Sequence, residues 1–175
     1  MSKLYIGIDV GSKGFVSTQK KGVWEHFSIE DNDLYQLSDY MTKLRDENED
    51  IACVIEDVHA LFGSSAKATF AFGEIFGKLQ ALLLANKIPY HLVSPKKWQS
   101  IMWENKDIVY KYTGKKLKDG SPQKKIDTKP TSINACKRLF PNIDQRKNPE
   151  GRGKKPDDNK VDSILMCEYA RRMNL

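Results

Sequence analysis

Two apolar runs that each carry an acidic residue, LYIGIDVGS at residues 4–12 and IACVIED at residues 51–57, decide the fold of this chain. Short runs rich in Ile and Val are typical of buried β-strands. The first run contains Asp9 and the second ends in Glu56, and a lone charge is costly to bury in an apolar strand. If the two strands form a central parallel pair, their carboxylates lie on adjacent strands.

The rest of the chain alternates between strand and helix signals. Apolar residues between Asp33 and Glu47 recur at helical spacing, with Asp33 as the N-terminal cap. The predicted elements are strands at 3–9, 14–20 and 22–29, a helix at 33–47, a strand at 51–56, a helix at about 65–85, a strand within 88–95, and helices at 95–102, at about 131–139 and from about 156–158 onward. The initial order β-β-β-α-β-α-β-α predicts a mixed α/β fold.

The last amphipathic segment, PDDNKVDSILMCEYARRM at residues 156–173, contributes two more acids. Asp158 and Asp162 are four residues apart, so both lie on one side of the predicted helix. Like charges at this spacing repel each other, and a cation between them reverses the sign of that interaction. Taken alone, Asp158 is better explained as an acid at a helix N-terminus. Three further acids are interpreted as solvated charges: Asp57, Asp157 and Glu168.

Together, the four acids Asp9, Glu56, Asp158 and Asp162 are typical of a site for divalent cations. Hard oxygen ligands suit Mg²⁺ or Mn²⁺. Two such ions, roughly 3.5–4 Å apart, activate a water and stabilise the leaving oxygen when a phosphodiester is cleaved. The pattern therefore predicts a nuclease that needs no protein nucleophile.

The basic residues favour a polyanionic partner, nucleic acid first. The chain has 175 residues and a net charge of +6. Residues 104–130 contain eight lysines and almost no apolar periodicity, which predicts an exposed basic excursion, partly disordered without a partner. Residues 144–157 are predicted to form a second basic loop.

The composition also bounds the class of protein. The length indicates one domain over residues 1–175. Cys53, Cys136 and Cys167 each lie in an apolar segment and are interpreted as buried thiols of a reducing cytosol. No apolar stretch is expected to reach membrane-spanning length, and the N-terminus has no signal-peptide pattern, so no membrane association is expected.

The same segments resemble the RuvC-like Holliday junction resolvases, most of all the compact phage-type branch. The likeness spans nearly the whole chain in order. It rests on IGIDVG at 6–11, VIEDVHALFGSSAKATFAFGEIFGKLQALL at 54–83, PYHLVSPKKWQ at 89–99, SINACKRLFP at 132–141 and KKPDDNKVDSILMCEYARR at 154–172.

The resemblance implies an RNase H-like fold, with a mixed five-stranded sheet flanked by helices. It further implies a homodimer that nicks Holliday junctions and other branched DNA, such as forks and flaps. Each active site would use two Mg²⁺ ions, with Mn²⁺ able to substitute, held by Asp9, Glu56, Asp158 and Asp162. A phage-encoded enzyme of this kind would work in the cytoplasm of its bacterial host.

This chain departs from the cellular enzymes at two places. The final acidic pair is spaced by four residues instead of three, so Asp158, Asp157 or Asn159 supplies the third ligand. An aromatic residue follows the glutamate in the cellular enzymes and stacks on a junction base. Here His59 stands at about that position and Phe62 is the nearest aromatic, which points to relaxed selectivity among branched forms.

Basic side chains are the expected contacts to DNA phosphates. The candidates for DNA binding are His59, Phe62, Lys67, Lys96, Lys97, Lys115, Lys116, Lys118, Lys124, Lys125, Lys129, Arg146, Lys147, Arg152, Lys154 and Lys155. For any single lysine, a solubilising surface charge is the better explanation.

The segment 65–85 carries the candidate dimer residues Phe70, Gly73, Phe76 and Gly77. The two glycines are one helical turn apart and allow close approach of another backbone. Packing of this helix on the sheet explains the same residues, and the resemblance favours the dimer.

Three alternatives stay open. One is a module that binds branched DNA without cutting it. Another is an RNase H-like nuclease that acts on other nucleic acids, such as RNA–DNA hybrids. IGIDVGS also resembles the first phosphate motif of actin-like ATPases and sugar kinases, but those proteins need two such lobes and a second glycine-rich loop.

Overall fold

The computed structural model of the chain describes residues 2–57 and 65–175. Its central sheet has five strands in the order β3-β2-β1-β4-β5, with β1 and β2 antiparallel and β1 parallel to β4. The strands are β1 (Leu4–Ile8), β2 (Phe15–Lys20), β3 (Val23–Ser28), β4 (Ile51–Glu56) and β5 (Tyr90–Val93). The helices are α1 (Leu34–Asp46), α2 (Ala66–Ala85), α3 (Pro95–Met102), α4 (Thr128–Leu139) and α5 (Asp158–Arg172). The predicted mixed sheet and its central parallel pair are confirmed.

Different helices cover the two faces of this sheet. Leu4, Ile6 and Ile8 of β1 form one core with α1 and α2. On the opposite face, Val54 of β4 packs in a second core with α3, α4 and α5. Because side chains alternate along a strand, each central strand supplies apolar residues to both cores. This double burial explains why β1 and β4 are continuous apolar runs in the sequence.

Helix α5 lies directly on β1 at Gly7. A Cβ atom at this position would overlap the backbone oxygen of Ser163 and the backbone nitrogen of Cys167. The absence of a side chain at Gly7 therefore sets how closely α5 approaches the sheet. Ser17 of β2 adds a hydrogen bond of 2.6 Å to the Ser163 hydroxyl, which fixes the helix along its axis.

Three helix starts have side-chain caps, of which the one at Asp33 was predicted, the one at Ser65 was not, and the one at Asp157 corrects an expectation. Asp33 forms a capping box with Gln36, and Ser65 caps α2 by accepting from the Ala68 backbone. Asp157 was expected to be a solvated charge, but its carboxylate caps α5 by accepting from the backbone nitrogens of Asn159 and Lys160.

Glu168 is a second acid whose predicted solvation is wrong. It is buried, and its carboxylate accepts from Arg171 Nε at 2.7 Å and Arg172 Nε at 2.8 Å. Positions three and four residues apart share a helix face, so this fork of two arginines neutralises the buried charge. The predicted burial of three free cysteines is confirmed.

The basic excursion at 104–130 contains regular elements that the sequence analysis did not predict. It begins with a short 3₁₀ turn (Asn105–Asp107) and continues as a hairpin of β6 (Tyr110–Lys116) and β7 (Pro122–Ile126). Helix α4 then starts at Thr128, three residues earlier than expected. The second basic loop, between α4 and α5, contains one isolated bridge between Arg146 and Pro156 and no helix or longer strand.

Candidate active site

The ends of β1 and β4 bring two carboxylates side by side. Their parallel register pairs Ile8 with Ile55, so Asp9 and Glu56 follow as neighbours. Alternation along the strands turns both toward the face covered by α5, the face of Gly7 and Val54. The predicted pairing of these strand-end acids is thus what the topology produces.

The two strand-end acids are largely shielded from solvent. Asp9 is only 8% exposed. Glu56 is half-buried and accepts a hydrogen bond of 3.0 Å from the indole nitrogen of Trp98 in α3. The tryptophan ring, itself fully buried, therefore fixes the orientation of one carboxylate oxygen.

The first two turns of α5 present the other acids to the same place. Asp157 is occupied as the helix cap, which leaves Asp158 in the first turn and Asp162 one turn later. The charges of Asp162, Glu56 and Asp158, in that order, act on Asp9 and help to raise its pKa. Asp9 therefore lies within electrostatic reach of the other three predicted acids.

Burial and repulsion together make this cluster costly to ionise. Burial is the largest cause that raises the pKa of Asp9 well above its ordinary value. Burial also raises the pKa of Asp162, to about 7, and the charges of Glu56 and Asp158 add to the effect. The pKa of Glu56 is raised by burial and held back by the Trp98 hydrogen bond. Such a cluster is stabilised by any cation that binds between its members.

One cation from the protein already touches the cluster. The ammonium of Lys129, at the start of α4, lies 2.6 Å from Asp158 Oδ2, and this contact raises the pKa of the lysine. Asp158 is thereby neutralised from the solvent side. The contact was not predicted, because Lys129 and Asp158 are far apart in sequence.

The donor set fits hard divalent cations, although the carboxylates are not yet gathered around one point. Within residues 2–57 and 65–175, no group of three or more Asp, Glu, His or Cys side chains forms a ready-made metal site. Asp162 Oδ1 is nevertheless buried with no hydrogen-bond partner among the described residues, and the same holds for Ser132 Oγ. Ser132 is close enough to lower the pKa of Asp162 without reaching ordinary hydrogen-bond geometry. An orphaned oxygen of this kind is what a hard cation would satisfy.

Comparison with solved structures identifies the architecture. Thermus thermophilus RuvC in complex with a Holliday junction substrate matches with a TM-score of 0.55 at 8% identity, covering 98% of this chain and 96% of that one. A second structure of Thermus thermophilus RuvC matches with a TM-score of 0.52 at 11% identity over the same shares of both chains. The chain has a RuvC/RNase H-like fold. No model of a known protein family matches the sequence, and no curated protein matches it either.

On this RuvC-like fold, the predicted DNA-binding residues fall into three groups. Two of them, His59 and Phe62, lie outside the described residues. Arg146 and Lys147 are engaged in ion pairs, the first with Asp144 and the second with Glu30 at 2.6 Å. The remaining basic side chains are exposed: Lys67, Lys96, Lys97, Lys115, Lys116, Lys118, Lys124, Lys125, Lys129, Arg152, Lys154 and Lys155.

Sequence reasoning missed three side chains beside the acids. Trp98 and Ser132 lie in segments that carry the resemblance, but neither residue type signals a catalytic site by itself. Lys129 was assigned to DNA, and its contact with Asp158 depends on how α4 packs against α5. Only the three-dimensional arrangement reveals these neighbours.

Helix α2 carries the predicted dimer residues on an open face and at its border with the core. Phe70 is 75% exposed, and a Cβ atom added at Gly73 or Gly77 would meet no described atom within 4 Å. Phe76 is partly buried, because it packs against the core and stacks with Phe72. Phe70, Gly73 and Gly77 thus share an open face, and Phe76 lies at the edge where that face meets the core.

The expectation that no apolar stretch reaches membrane-spanning length is wrong for this helix. By length and composition alone, the 20 residues of α2 are sufficient to cross a membrane. A single helix of this kind is weak evidence for a membrane segment, since core helices of water-soluble proteins pass the same test. In the RuvC-like fold, Leu79 and Leu83 of α2 are fully buried against the sheet.

Proposed function

We propose that the chain is a metal-dependent endodeoxyribonuclease that nicks phosphodiester bonds in branched DNA, Holliday junctions first. The observation that carries the proposal is the cluster of four carboxylates at the ends of β1 and β4 and on the facing turns of α5. It stands on a RuvC/RNase H-like fold, and one of the matching structures is a RuvC with a Holliday junction bound. We place the chain in the compact phage-type branch, as a single domain over residues 1–175.

The proposed ligands are Asp9, Glu56, Asp158 and Asp162, which would hold two Mg²⁺ ions, or Mn²⁺ in their place. Asp158 is favoured over Asp157 because the carboxylate of Asp157 is occupied as the cap of α5. Asn159 is disfavoured because a neutral amide adds no charge to the site. When bound, the ions would activate the attacking water and stabilise the leaving oxygen.

The protein groups around the ligands have separate roles in this proposal. Trp98 holds one oxygen of Glu56 in place, and the cap at Asp157 fixes the first turn of α5. Lys129 pairs with the charge of Asp158, one of the residues that would hold an ion. Ser132 lies near enough to Asp162 to lower the pKa of its carboxyl.

The exposed lysines around the cluster would bind the DNA backbone. The net charge of +6 favours a polyanion, and the acidic cluster alone would repel one. Lys154 and Lys155 precede α5 directly, so phosphates bound there would lie next to the first helical turn. Such contacts position the DNA without reading its sequence.

The proposed enzyme acts as a homodimer in the cytoplasm of a bacterial host. Pairing through the open face of α2 would supply two active sites for two strands of a four-way junction. The exposed ring of Phe70 and the uncovered backbone at Gly77 support this face as the interface.

Cleavage assays test the proposal directly. Labelled four-way junction, three-way junction, fork and linear duplex are each incubated with Mg²⁺, Mn²⁺ or a chelator. We expect paired nicks in branched DNA only with metal. The Asp9→Asn variant should bind the same DNA without cutting it, and Asp46→Asn, which changes an exposed acid at the end of α1, should cut normally. Binding without cutting in any metal would make the chain a non-catalytic branched-DNA module, and preferred cutting of RNA–DNA hybrids would make it another RNase H-like nuclease.

A further inference from the structure

The hairpin of β6 and β7 stands apart from the central sheet as a separate two-stranded sheet. Its residues are exposed on both faces, with only Thr113 and Gln123 half-buried. Because both faces of the hairpin are exposed, its side chains contribute little to a core. An isolated two-stranded hairpin of this kind is marginally stable in water. The composition of those side chains must therefore be explained by something other than packing.

One side of the hairpin is aromatic. Tyr110 and Tyr112 are two residues apart and so project from the same side, and they are 61% and 66% exposed. Across the ladder they face Ile126 and Lys124, and the Lys124 ammonium lies 5.4 Å from the centre of the Tyr112 ring. A pair of bare rings beside a cation matches the platforms on which nucleic-acid bases stack.

The other side of the hairpin carries a pair of like charges. Lys111 lies directly opposite Lys125 in the ladder, and like charges at such positions destabilise a hairpin. Lys111 is offset by Asp127 at 2.7 Å, and further lysines, Lys115, Lys116 and Lys118, follow toward the turn. Phosphate groups are the ligand that would relieve this excess of positive charge.

The base of the hairpin is tied to the proposed active site. The Asp127 nitrogen donates to the Val109 oxygen at 2.7 Å, and the Val109 nitrogen donates to Thr131 Oγ1 of α4 at 3.0 Å. The same first turns of α4 hold Lys129 against Asp158. A nucleic acid bound along the hairpin therefore lies on the element that borders the carboxylates.

We propose that this hairpin binds unpaired nucleotides at the branch point of DNA, with Tyr110 and Tyr112 stacking on two bases and the lysines holding the flanking phosphates. The proposal rests on the nuclease function above and names the structural feature that its site would select. Bases in a linear duplex are covered by their neighbours, whereas bases at a branch or in a single strand expose their faces. The hairpin thus discriminates branched from linear DNA without reading sequence.

Binding in chelator, where no cutting occurs, tests the hairpin separately from catalysis. The probes are single-stranded DNA, a linear duplex, and a four-way junction with 2-aminopurine at the branch point. We expect the Tyr110→Leu/Tyr112→Leu double variant, which keeps apolar side chains but no rings, to lose roughly tenfold or more in affinity for single strands and the junction. Duplex affinity should be unchanged, and the wild-type protein should change the 2-aminopurine fluorescence more than the variant does.

The controls isolate the aromatic ring. The Tyr110→Phe/Tyr112→Phe variant keeps both rings and should bind as the wild type does. Tyr35→Ala removes a tyrosine that is 83% exposed on α1, and it should have no effect. Circular dichroism of each variant reports whether it is folded.

Three results would overturn the inference: unchanged single-strand affinity of the folded leucine variant, an equal loss for duplex and single strands, or an equal loss in the phenylalanine variant. None of them depends on cleavage. A wild-type protein that never cuts DNA would refute the nuclease and leave the stacking result intact. A cutting enzyme with an inert hairpin would refute only the stacking.

Discussion

At the residue scale, Asp162 combines the features that a metal ligand requires. Its carboxyl is buried, one oxygen has no partner within the described part of the chain, and its pKa is raised to about 7 by burial first and by Glu56 and Asp158 next. The position of this residue one turn after Asp158 was evident in the sequence. Its burial was not, because burial depends on the packing of α4 and α5 over the sheet.

Removing the charge of Asp162 should stabilise the protein when no metal is present. In chelator at pH 8, we expect Asp162→Asn to raise the free energy of unfolding by on the order of 1–3 kcal/mol, since the ionised carboxylate is buried beside other acids. Mg²⁺ should stabilise the wild type in urea unfolding and have little effect on the variant. Asp46→Asn is the matched control, and an equal Mg²⁺ effect in wild type and Asp162→Asn would contradict the assignment of this ligand.

His26 gives the fold a second pH dependence. Burial, followed by the charge of Lys160, lowers its pKa from 6.5 to about 4, and its Nδ1 lies 2.9 Å from Ser17 Oγ. Between these two pH values the unfolded chain binds a proton at this histidine and the folded chain does not. Stability therefore falls as the pH decreases from about 6.5 to about 4.

The measurement for His26 is the urea unfolding midpoint at a series of pH values. We expect His26→Gln to remove the loss of stability between about pH 6.5 and 4 that this group causes, while other groups affect both proteins alike. Parallel curves for the two proteins over that interval would show that His26 is not protected from protonation.

At the element scale, the contact between β1 and α5 determines whether the acids meet. In the sequence, Gly7 lies within the apolar run that correctly predicted β1. Nothing in that run indicated that a helix more than a hundred residues later would press against it. Sequence periodicity reports which face of an element is apolar, and the partner of that face appears only in the folded chain.

Gly7→Ala should separate the two elements. The added methyl would overlap backbone atoms of Ser163 and Cys167, which cannot rotate away, so we expect a loss of roughly 1–3 kcal/mol in unfolding free energy and a loss of nicking. Gly153→Ala is the control, since its Cβ meets no described atom and its backbone has no positive φ. Comparable stability losses in both variants would refute the close contact.

The hairpin of β6 and β7 is regular structure that the sequence analysis of 104–130 did not predict. Tyr110 and Tyr112 alternate along β6, and the turn that follows contains Gly120 at φ +83°. With eight lysines in 104–130, both faces of the hairpin are polar. Neither face therefore shows the apolar alternation by which a half-buried strand is recognised in a sequence. Disorder and a solvent-exposed hairpin share this composition.

At the scale of the whole molecule, the fold matches two RuvC structures whose sequences share little with this chain. Identities of 8% and 11% to the matching RuvC structures accompany coverage of 98% of this chain. The order of strands and the location of the acids were predictable, because they follow from runs that must be apolar and from carboxylates placed at their ends. The ion pair between Lys129 and Asp158 was not, since it depends on loops of irregular length.

The assembly should depend on the open face of α2. We expect the wild type to sediment as a dimer at micromolar concentration. Gly77→Leu should raise the dissociation constant roughly tenfold or more, because the new side chain is tolerated in the monomer but fills the space a partner would occupy. Tyr35→Ala should remain dimeric. A wild-type monomer, both free and on junction DNA, would rule out this interface.

The proposed active site joins residues from opposite parts of the chain, with Asp9 after β1 and Asp162 in α5. A ribosome releases β1 and β4 first and α5 more than a hundred residues later. Until α5 has been made, Asp9 and Glu56 therefore lack the acids that α5 contributes to the site. The proposed nuclease activity would therefore begin only after α5 has been synthesised.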